Sequence, residues 1–116
     1  MAGIARILIV VIAVLHAGFL ILEMFLWRTA FGRRTFGLTK EFAEQSAKLA
    51  ANQGLYNGFL AAGLAWGAWA ASRDIETFFL ACVAVAGLYG GITVKRSILV
   101  IQALPAIVAL VLLYWP

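Results

Sequence analysis

The sequence predicts an all-α protein, a bundle of four transmembrane helices with the N and C termini on the same, non-cytoplasmic side. Three observations carry that prediction. Apolar residue classes make up 65% of the 116 residues and charged residues 12%, against roughly half and about a quarter in an ordinary globular domain. The apolar residues fall into four runs separated by short polar connections. The basic residues gather in two of those connections. A water-soluble fold of this size could not hide so much hydrocarbon, because small domains leave much of their surface on solvent.

The first run, Ile4 to Trp27, is long enough to cross a hydrocarbon core of about 30 Å at about 1.5 Å per residue. A cleavable signal peptide would have a shorter apolar region ahead of a small-residue site. This run instead continues through Phe19 to Leu22 and on to Met24-Phe25-Leu26-Trp27, so it reads as a membrane helix. The polar stretch from Arg28 to Lys48 follows, with Gly32 and Gly37 expected to interrupt helix near its start. Thr39 is a candidate N-cap, Glu44 and Lys48 have the favourable i,i+4 order, and no proline intervenes. One helix is therefore expected from about 39 to 71, its first turns in the headgroup region.

Residues 72 to 76 form a short connection into a third helix, about 76 to 94. Lys95-Arg96-Ser97 then turns the chain into a fourth, about 98 to 115, which Pro105 should kink. Tyr114 and Trp115 suit the far interface. The whole chain, 1–116, is expected to be a single integral membrane domain. With four spans the first and third connections share a side, and they hold seven of the nine basic residues, leaving Arg6 and Arg73 for the other side. The positive-inside bias puts those two connections in the cytoplasm and predicts a multi-pass protein of the inner, or plasma, membrane. Arg33 and Arg34 are expected to meet lipid phosphate.

Polar groups inside apolar spans are costly, so each must face protein or water or reach the interface. His16 and Glu23 lie seven residues apart, two turns along one face of the first helix that also carries Leu20 and Trp27. The second helix brings Asn52, Gln53, Tyr56 and Asn57 from the same end, with Gly54, Gly58 and Ala62 on the opposite flank as a ridge for close packing. Tyr89 of the third helix and Gln102 of the fourth reach a similar depth. These eight residues form the candidate ligand-binding set, a polar layer in the cytoplasmic half of the bundle suited to a small polar or amphipathic ligand. Simpler roles compete with it. Glu23 could pair with Arg28 or Lys95, His16 could bond a neighbouring helix, and the amides could act as interhelical glue.

Other chemistries find little support. The single cysteine, Cys82, excludes an intrachain disulfide or a multi-cysteine metal site. There is no Gly-rich phosphate loop, no Cys/His metal pair and no G-x-S-x-G elbow. The sequence therefore assigns no catalytic residue, no metal and no cofactor. Basic residues interleaved with long apolar runs point to the bilayer and not to nucleic acid.

The strings Glu23-Met24-Phe25-Leu26-Trp27, Phe36-Gly37-Leu38, Phe42-Ala43 and Ala51-Asn52-Gln53-Gly54-Leu55-Tyr56-Asn57-Gly58-Phe59-Leu60-Ala61 resemble the small bacterial integral membrane proteins grouped as domain of unknown function 1304. The resemblance covers nearly the whole chain and implies a four-helix membrane protein of bacterial type, with no activity to carry over. Three functions stay open. The first is a membrane module that binds or moves a small ligand, and the second is an isomerase-like enzyme with Glu23 and His16 as acid and base. The third is an accessory subunit that docks its small-residue ridges on a second copy or a larger membrane complex.

Overall fold

A computed structural model describes residues 1–116, and the chain is helical throughout, without strands. Helix α1 spans Ala2–Met24, α2 Ala30–Phe36, α3 Lys40–Ala70, α4 Arg73–Thr93 and α5 Leu104–Tyr114. A π-helical turn, Leu99–Ala103, leads into α5. Two of these helices, α1 and α4, are long and apolar enough to cross a membrane. With 31 residues, α3 is about 46 Å long, but its amides and glycines make it less apolar than α1 and α4. The stretch Leu99–Tyr114 is apolar but shorter.

The chain divides into two units, Met1–Val14 with Leu60–Pro116, and Leu15–Phe59. In the first, Ala5, Ile9, Ile12 and Ala13 of α1 meet Leu64 of α3, Leu80, Val83 and Ala84 of α4, and Ala106, Ala109 and Leu113 of α5 in one buried cluster. The buried positions on each helix recur every three or four residues, as one helical face requires. Many are small. Other large side chains point outward, with Ile7, Val14, Phe78, Val85, Ile92 and Val100 all exposed.

Small residues set how closely these helices approach. A Cβ at Gly87 would lie 2.6 Å from the backbone nitrogen of Ala103, so α4 meets the π turn backbone to backbone. Gly63 faces Phe79, Gly67 faces Glu76 and Gly91 faces Leu99. The expected proline kink takes a particular form. Pro105 lies in the first turn of α5, and just before it the Leu104 N–H reaches back five residues to the Leu99 carbonyl. This wider turn makes room for the ring and for the carbonyl that proline leaves unpaired.

The second unit holds an element that the sequence reading did not anticipate. Between Gly32 and Gly37 the chain was expected to break, yet Ala30–Phe36 is a short helix capped at both ends. Thr29 Oγ1 accepts from the Gly32 N–H at 3.1 Å, and Gly37 closes the helix at φ 68°, a conformation that glycine adopts without a Cβ penalty. Gly32 is tucked under the end of α1, where a Cβ would collide with the Leu26 carbonyl. Thr39 does cap α3, accepting from the Phe42 N–H at 3.1 Å. Helix α1 stops at Met24, three residues short of the expected Trp27.

Candidate functional site

In the second unit, α1 and α3 run close together because Gly54 offers no side chain. A Cβ there would come within 2.7 Å of Met24 Cγ and 3.0 Å of Glu23 Cβ. One turn further along α3, Asn57 Nδ2 donates to Glu23 Oε1 at 2.5 Å. Both residues are half-buried. This bond fixes the direction of the Glu23 carboxyl group.

Beside this carboxylate lies a recess of about 310 Å³ whose walls include Glu23, Met24, Trp27, Arg28, Ala47 and Lys48. Trp27 is held in place by two contacts. Its indole Nε1 donates to Ser46 Oγ at 3.0 Å, and its ring lies 4.9 Å from that of Phe36. Arg28 reaches Glu44 at 3.4 Å, so Glu44 is engaged across to Arg28. The recess thus carries one carboxylate and two cationic side chains against a partly apolar wall. Arg33 and Arg34 sit in the last turn of α2, where cations complement the negative end of a helix.

The other predicted residues separate. Asn52, Gln53 and Tyr56 lie on the exposed side of α3, with Tyr56 stacked edge-on against Phe59 at 5.9 Å. His16 is fully buried, its ring edge-on to Phe19 at 5.3 Å. Tyr89 and Gln102 belong to the first unit, Tyr89 exposed on α4 and Gln102 half-buried in the π turn. From the sequence-derived set, then, Glu23 and Asn57 are joined directly.

Sequence reasoning missed the first unit's ion pair. Arg6 Nε and Nη2 donate to the two carboxylate oxygens of Glu76, each at 3.1 Å, and Glu76 is fully buried. By position in the sequence Arg6 counts with Arg73 on the side away from the basic connections, and Glu76 stands at the end of the connection 72 to 76. The available signal was helical phase. Once Ser72 caps α4, Glu76 falls on the buried face of Leu80 and Val83. Nearby, Thr77 and Tyr114 share a 2.7 Å hydrogen bond and Arg73 lies over the Tyr114 ring at 5.0 Å.

Together these features define an all-helical protein with two helices of membrane-crossing length and a carboxylate-lined recess. The chain belongs to the family described as protein of unknown function (DUF1304), which it matches over residues 10–114. It is also similar to the uncharacterized protein YpaA of Lactococcus lactis subsp. lactis (strain IL1403), 33% identical over 94 residues that cover 78% of this chain and 79% of the relative. No solved structure matches it significantly.

Proposed function

We propose that the chain is a four-span, multi-pass protein of a bacterial inner membrane that binds a small polar or amphipathic ligand at the Glu23 recess. The arrangement of side chains supports lipid as the solvent. In the first unit many large apolar residues, Ile7, Val14, Phe78, Val85, Ile92 and Val100 among them, are exposed, while alanines and glycines join isoleucines and leucines at the contacts between helices, an outward display of hydrocarbon that water penalises and lipid accepts. Two spans come from α1 and α4. The other two are read from the length of α3 and from the π turn continued by α5, with the arginine- and lysine-rich connections in the cytoplasm.

The observation that carries the binding reading is the Glu23 carboxylate, aimed by Asn57 and set beside a recess that also holds Arg28 and Lys48. Such a site suits a molecule with a cationic or hydrogen-donating group for Glu23 and an anionic group for the two basic side chains. Its volume falls at the lower end of small-molecule pockets, about 300 to 1,000 Å³. Binding is favoured over acid–base catalysis because His16, the second group that catalysis would need, has no exposed surface. The accessory-subunit reading needs outward glycine ridges, yet Gly63, Gly67, Gly87 and Gly91 are all engaged within the first unit.

Thermal unfolding of the detergent-solubilised protein with aminoalkyl phosphates and alkylamines tests the proposal. The wild type should be stabilised by the matching probe, and Glu23→Gln and Asn57→Leu should lose that stabilisation while remaining folded. Unchanged stabilisation in both variants would reject the site.

A further inference from the structure

The first unit holds a second recess that the proposed ligand site does not use. It is a groove of about 550 Å³ bordered by Arg6, Ile7, Val10, Val11, Ala65 and Ala68, with Trp69 at its edge. Apart from the guanidinium its walls are apolar. We propose that this groove seats an anionic phospholipid, with the phosphate on Arg6 and the start of an acyl chain along Ile7, Val10 and Val11. The proposal rests on the membrane reading above and is independent of the Glu23 site.

The chemistry of Arg6 carries the argument. A guanidinium has five N–H donors in a rigid fork, and Glu76 takes one from Nε and one from Nη2. Three donors are left. Because Glu76 is fully buried and the Arg6 side chain is 31% exposed, the carboxylate clamps one edge of the fork and leaves the rest at the groove. Glu76 is therefore a positioning residue that pre-orients a cation whose planar geometry matches phosphate. Its own charge is partly offset by its place in the first turn of α4, where the helix end is positive.

The walls decide which anion. A free phosphate would gain nothing from Val10, Val11, Ala65 and Ala68, whereas an acyl chain would cover them. Trp69 is 88% exposed, and an indole at the lip of a groove suits the headgroup level of a bilayer. Arg6, four residues before Val10, places the charge about 6 Å along the helix from the apolar floor, the order in which a phospholipid presents its phosphate and chain.

The test is native mass spectrometry of the full chain in neutral detergent, titrated with phosphatidylglycerol, phosphatidylcholine or inorganic phosphate. Wild type should retain phosphatidylglycerol about tenfold better than phosphatidylcholine. The double variant Arg6→Gln with Glu76→Gln keeps a neutral hydrogen-bonding pair in the buried position and should lose that preference. Ala68→Phe fills the groove without touching the ion pair and should lower retention of phosphatidylglycerol by about fivefold or more. Glu23→Gln should retain it fully. Equal retention of the two lipids by wild type, or a preference that survives in both groove variants, would overturn the proposal. So would full competition by inorganic phosphate, or cross-linking of Val10→Cys between two copies in place of lipid. Release of the protein from membranes by alkaline carbonate would instead count against the membrane reading itself.

Discussion

Arg6 and Glu76, 70 residues apart in the chain, meet as a two-point ion pair with Glu76 fully buried. The pair ties the start of α1 to the first turn of α4. Gly67 makes room for it, since a Cβ there would lie 2.9 Å from Glu76 Cγ.

Breaking this pair from one side should be costly. Glu76→Ala or Arg6→Ala is expected to destabilise the fold by about 3 to 5 kcal/mol, because each strands a partner charge, while Arg6→Leu with Glu76→Leu should cost less than the sum. Reversible unfolding in mixed micelles measures the difference. Strictly additive losses would show that the two residues do not act as a pair.

Two neighbouring glycines on α4 should respond in opposite directions. Gly87→Ala drives a methyl to within 2.6 Å of the Ala103 backbone, whereas at Gly90 the nearest atom would be 3.4 Å away, in the Ile98 side chain. The first substitution should cost about 1 to 3 kcal/mol. The second should be neutral or stabilise by up to about 1 kcal/mol through helix propensity. The same unfolding assay compares them, and similar losses at both sites would contradict the backbone contact.

Ala71 ends α3 at φ 51°, a left-handed conformation that glycine adopts more readily. The Ser72 N–H closes the turn onto the Gly67 carbonyl at 3.0 Å. Ala71→Gly should stabilise the protein by about 0.5 to 1 kcal/mol, the relief of strain outweighing the greater freedom of the unfolded chain. A lower unfolding midpoint would show that Ala71 is not strained.

Membrane orientation can be read with a single thiol. In a Cys82→Ser background, Arg34→Cys should react with an impermeant maleimide only from the cytoplasmic side, and Asp74→Cys only from outside. Labelling of both from one side would exclude the four-span topology.

Much of the fold was legible in the order of the chain. Apolar runs and their polar punctuation located the long helices, and Thr39 announced the start of α3 through a local rule, since the residue that caps a helix touches the turn it caps. Gly54 and Gly58 likewise signalled close packing, and both face α1 side chains. What escaped was phase and reach. Residues 30–36 were read from their glycines alone, but Thr29 and Gly37 are caps, and two caps make even seven residues helical. Of the polar stretch on α3, periodicity could say that Asn52, Gln53, Tyr56 and Asn57 share an arc but not which edge of that arc meets α1. Asn57 does, and Tyr56 is turned away. Arg6 and Glu76 were hidden for a plainer reason. Each stands at the margin of an apolar run, where exposure is the usual expectation, and long-range pairing leaves no mark in local sequence.

The π turn at Leu99–Ala103 places one more residue in a helical turn than α-helix would. That surplus residue rotates everything downstream by about 100° relative to an uninterrupted α-helix, and so determines that Ala106, Ala109 and Leu113 are the residues buried. A chain lacking a single residue here could form a smoother helix, yet it would present the wrong side. The irregularity works as a phase adjuster, so the number of residues in this segment decides which side of α5 is buried.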